Sequence, residues 1–94
     1  MIEVERTGDG KTLTFAVVVQ DATGESRHQV TMASETWVRL TRGRHEPERC
    51  VEAAFQFLLE REPKEAILAR FDIAVIQRYF PEFERELPRF LEAL

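Results

Sequence analysis

One cysteine, two histidines, one tryptophan, one tyrosine, four glycines and four prolines are spread over 94 residues. Each scarcity excludes something. The single cysteine, Cys50, has no partner for an internal disulfide, which fits a reducing compartment. His28 and His45, with one thiol, fall short of the three or four convergent ligands that a metal site needs. No metal and no cofactor is expected. Gly8, Gly10, Gly24 and Gly43 sit in turns and make no nucleotide-cradling loop. No apolar run approaches the ~20 residues of a transmembrane helix. No basic segment precedes an apolar stretch at the N-terminus, so no signal peptide is read there. The setting expected is cytoplasmic, away from membranes.

A basic excess is missing too. Thirteen Lys and Arg stand against 17 Asp and Glu, a net charge of −4. Residues 1–47 carry six cations against seven anions, and residues 48–94 seven against ten. General binding to a phosphate backbone is therefore disfavoured, and nucleic acid is left with a local patch. What the chain does have is 44% apolar residues, enough for one core without staples.

The pattern predicts an α+β domain over 1–94: an N-terminal three-stranded antiparallel β-meander followed by four or five short helices packed on one face. Strands are expected at about 2–6, 11–20 and 25–32. In the second, Leu13, Phe15, Val17 and Val19 recur at period two and mark the buried face. Thr7–Gly10 and Asp21–Gly24 are turns. Helices are expected at about 35–42, 47–61, 63–71, 72–80 and 81–92. Ser34 and Asp72 are of the residue type that caps helix N-termini. Pro47 suits a first helical turn. Cys50, Val51, Ala54, Phe55, Leu58 and Leu59 form an inward stripe. Pro63 and Pro81 divide the rest into short pieces, and Pro88 shortens or bends the end of the last one. At helical spacing, Glu35 pairs with Arg39 and Glu60 with Lys64.

The segment FLLEREPKEAIL, followed by FDIAVIQRYFPEFE, resembles a family of small uncharacterised bacterial proteins. The similarity spans Val51 to Leu87, and only loosely the strands. The resemblance implies the helical segment and a bacterial source. It implies no activity, so no site residue is carried over.

Arg39, Arg42, Arg44, His45 and Arg49 are the densest chemical cluster. Their guanidiniums suit a phosphate or an acidic partner, with the loop at Gly43 offering backbone N–H groups. The alternative is a solvated helix end, where cations offset the dipole. His28 and Cys50 are the remaining candidates for acid–base or nucleophilic work. Their plainer roles are a satisfied core histidine and a small packed hydrophobe. Glu60, Glu62, Glu65 and Asp72 read as surface charges and a cap. Seven of the nine aromatics fall between Cys50 and Phe90. Most are expected in the core, with Phe83 and Phe90 outside it; together with Val18 on the open sheet face they are candidate interface residues. The function expected is a non-enzymatic interaction module or assembly subunit, with a protein partner or a homo-oligomer. A regulator using the arginine cluster comes second, and a small enzyme third.

Overall fold

The computed structural model describes residues 1–93; Leu94, counted in the expected domain, lies outside them. Strands β1 (Ile2–Gly8), β2 (Thr12–Asp21) and β3 (Gly24–Ala33) form the antiparallel meander. Helices α1 (Ser34–Thr41) and α2 (Pro47–Leu59) follow. A 3-10 turn at Lys64–Ala66 leads to a fourth strand, β4 (Arg70–Asp72). A second 3-10 turn (Ile73–Val75) runs into α3 (Ile76–Tyr79), and α4 (Phe83–Leu91) comes last. The α+β architecture is as the sequence implies. The sheet has four strands in the order β1-β2-β3-β4, and β4 lies parallel to β3. A parallel partner needs a crossover, and α1 and α2 supply it.

Two expected helices therefore need correcting. Residues 63–71 form a 3-10 turn and the β4 approach, and 72–80 a 3-10 turn plus one helical turn. Pro63 takes extended geometry (ψ 159°), which stops α2 from continuing. β4 is three residues long, too short to show a period of two.

The alternation of β2 puts Leu13, Phe15, Val17 and Val19 on the inner face, opposite Met32, Val30, His28 and Ser26 of β3. There α2 covers them with Cys50, Val51, Ala54, Phe55 and Leu58, all buried. Phe57 meets Phe80, Phe83 and Phe90 edge-on at 5.1–5.9 Å, locking α2 to the C-terminal elements. Arg61 lies over the same ring at 3.7 Å and donates to Glu82 at 3.1 Å. The outer sheet face keeps its charged residues exposed; no helix covers it among the described residues.

Candidate functional site

Beyond α2 the chain reverses tightly, with the N–H groups of Arg61 and Glu62 donating to Leu58 O at 2.9 and 3.0 Å. The segment after the first 3-10 turn then runs along β3. The N–H of Gln29 donates to Ala69 O at 2.8 Å, and His28 Nδ1–H donates to Leu68 O at 2.8 Å. Because a carbonyl only accepts, Nδ1 carries the proton, and Ser26 Oγ–H is left to donate to Nε2 at 2.8 Å when the ring is neutral. His28 is thus a buried positioning residue, its ring edge-on to Phe55 at 5.3 Å.

With the main chain of Leu68 held inward, its side chain is left 50% exposed. Tyr79, on the one-turn helix α3, is 67% exposed. Between these two lies a groove of about 200 Å³, lined by Leu58, Ile67, Leu68, Phe71, Tyr79 and Phe80. The charged residue on its wall is Glu62, for which no ion pair is found among the described residues.

Lys64 anchors one end of this segment. The residue is only 2% exposed, and its ammonium donates to Asp21 Oδ1 (2.8 Å), Thr23 Oγ1 and Glu65 Oε2, three acceptors for three protons. The Lys64 hydrogen bond, followed by those from Thr23, holds the Asp21 carboxyl well below the usual range. Asp21, then Glu65, raise Lys64 in turn. The β2–β3 turn and the groove wall are thereby tied together. The helical Glu60–Lys64 pair expected from spacing is absent, since Glu60 meets Arg89 at 3.2 Å instead.

The arginine cluster is divided by the fold. Arg39, Arg42, Arg44 and His45 line one surface hollow with Glu84 and Glu92. Arg39 pairs with Glu84 rather than with Glu35. Arg49 lies elsewhere, donating to the carbonyls of Phe90 and Leu91 at the end of α4; its Nη1 makes no hydrogen bond and has Glu52 at 3.5 Å. The loop's N–H groups are turned inward: Arg42 to Val38 O, Gly43 to Thr41 Oγ1, Arg44 to Thr41 O. Trp37 Nε1 fixes the same loop through His45 O at 2.8 Å. Arg42 itself has φ 56°, a left-handed backbone that costs a non-glycine residue about 1 kcal/mol.

Cys50 is fully buried, with its thiol pushed up to about 12 by desolvation and its sulfur 3.9 Å from that of Met32. Phe83 and Phe90, expected outside, are 1% and 6% exposed and belong to the core. Both sit on the inward stripe of α4, which the Phe57 ring requires. Val18 is half-buried on the open sheet face. Ser34 does not cap α1; its hydroxyl donates to Gly10 O at 2.7 Å. Asp72 caps the second 3-10 turn through Ala74 N and also accepts from Thr31 at 2.7 Å. No cluster of three or more His, Cys, Asp or Glu is placed to hold a metal among the described residues. No helix there is long and apolar enough to cross a membrane.

No family model, curated protein or solved structure matches this chain. The groove was not legible in the sequence. Leu68 and Tyr79 fall within the helices expected at 63–71 and 72–80; Leu68 instead lies in the irregular approach to β4, and Tyr79 ends a helix of a single turn.

Proposed function

We propose that the chain is a non-enzymatic protein-binding module whose groove receives one apolar side chain of a partner. The observation that carries this is the pair of large apolar side chains, Leu68 and Tyr79, left in water beside an apolar hollow. Scattered exposed residues mean little, but a pair flanking a concavity marks a contact surface. A hollow of about 200 Å³ is the right size for an aromatic ring or a leucine, since dry protein cavities of about 150 Å³ accept benzene. Glu62 adds a preference for a basic residue next to that side chain, because desolvating a lone carboxylate without a partner is unfavourable. The lone thiol, sequestered in the core, accords with a cytoplasmic setting.

Selection from a displayed peptide library tests this. The expected winners carry one large apolar residue beside a Lys or Arg, and their amide shift changes map to Leu68, Tyr79 and Glu62. Leu68→Asp, at an exposed position, is expected to abolish binding without unfolding the protein. Peptides that map to another surface, or binding that survives Leu68→Asp, defeat the proposal.

A further inference from the structure

The open face of the sheet carries an unusual row. The strand registers place Glu5 of β1, Ala16 of β2, Gln29 of β3 and Arg70 of β4 side by side. All four point away from the helices. Glu5 and Arg70 are exposed, and neither makes an ion pair among the described residues. Three strand spacings, about 14 Å, keep them apart within one molecule. A carboxylate at one end of a row and a guanidinium at the other, with small or neutral residues between, is a self-complementary pattern.

We propose that a second copy of this chain docks on this face, sheet against sheet, about a two-fold axis parallel to the strands between β2 and β3. That axis lays β1 over the partner's β4 and β2 over its β3. Glu5 then meets the partner's Arg70 and the reverse, so the contact is made twice. Ala16 faces Gln29, and Val18 packs on the aliphatic stem of Arg27. In the next row Thr14 faces Thr31, and Gly8, at the β1 bulge, faces Asp72. No like charges meet.

Two other ways of pairing copies through the sheet are disfavoured by charge. A two-fold axis perpendicular to the strands stacks β1 on β1, carboxylate upon carboxylate, through Glu3 and Glu5. Edge pairing of two β1 strands is open to the backbone. The Met1–Gln20 pair exchanges both hydrogen bonds, so Ile2, Val4 and Arg6 direct their backbone groups outward by alternation. Centred on Val4, however, that pairing sets Glu3 opposite Glu5 twice. Like charges directly opposite are destabilising. The same two glutamates thus disfavour that edge pairing.

This surface lies on the opposite side of the sheet from the helices, and the proposal is independent of the groove. It buries roughly 400–500 Å² per partner, from strands about 4.8 Å apart and 3.3 Å per residue. That is the low end for a specific interface, so the dimer is a weak one that salt loosens.

Sedimentation equilibrium of the full chain, from low micromolar to millimolar concentration, is the test. The wild type is expected to show a monomer–dimer equilibrium. Glu5→Arg alone and Arg70→Glu alone each turn two attractions into two repulsions and are expected to weaken it at least about tenfold. Mixing the two variants restores every pair and is expected to recover the dimer, which a merely damaged fold does not do. A strict monomer overturns the proposal, as does a dimer indifferent to either swap or a mixture that stays monomeric.

Discussion

Lys64 is a lysine placed where lysines are seldom found, with its stem buried and its charge met by three oxygens. The acceptors Asp21 and Glu65 keep half or more of their own side chains in water, so the site works as a surface clasp rather than a sealed ion pair. Its pH signature follows from the directions of the shifts. Asp21 and Glu65 both have native values below their unfolded ones. Their contribution is therefore complete above the ordinary carboxylate range, near pH 4, and is lost as pH falls through the lower native values. Lys64 is raised, so its contribution is complete below its unfolded value and fades only in strong alkali. Lys64→Met keeps the stem and removes the charge. Thermal melts of the two proteins are expected to differ most near pH 7 and to converge as the pH is lowered towards 2. A gap independent of pH assigns the clasp to packing alone. The spacing of Lys64 pointed to Glu60 instead, because its real partner lies forty-three positions away on a turn.

At the scale of elements, Phe57 holds α2 to α4 and to Phe80, just beyond α3, by three edge-on ring contacts, and the Arg61 guanidinium stacks on the same ring. Phe57→Ala is expected to cost about 3–5 kcal/mol, a large share of what a domain this size has to lose, as read from denaturant midpoints. A loss under 1 kcal/mol shows that the rings repack around the gap. The meander and α2 were legible because their periods, 2.0 and 3.6, run long enough to be counted. The stretch from Pro63 to Phe80 was not. There, Ala66, Ile67, Phe71, Ile73 and Ile76 satisfy a helical stripe about as well as they satisfy two 3-10 turns and a short strand. What decides between them is remote: the backbone of Gln29 and Val30 at an open sheet edge, and a carbonyl acceptor for His28. The arginine cluster misled for the same reason, since Arg49 answers to carbonyls of α4 that come 41 and 42 residues later.

For the whole molecule, the sheet divides the surface in two. One side carries the row from Glu5 to Arg70; the other carries helices and the groove. A dimer built as proposed turns two grooves outward and binds a partner with repeated motifs more tightly than one groove does, by effective concentration alone. The parallel pairing of β4 has a kinetic consequence as well. β1, β2 and β3 meet through short turns, whereas β4 must return across thirty-six residues after Ala33. Closing the long loop comes after the local contacts, and what closes last tends to open first. Native-state hydrogen exchange is expected to show the amides of β2 and the first half of α2 opening only with global unfolding. Those bonded from Gln29 to Ala69 and beyond into β4 are expected to open at lower free energy; equal protection in both sets contradicts this. Since Ile67, Leu68 and Phe71 all belong to that returning piece, the groove exists only while it is docked, and its lifetime is set by a partial opening of the protein rather than by the stability of the fold.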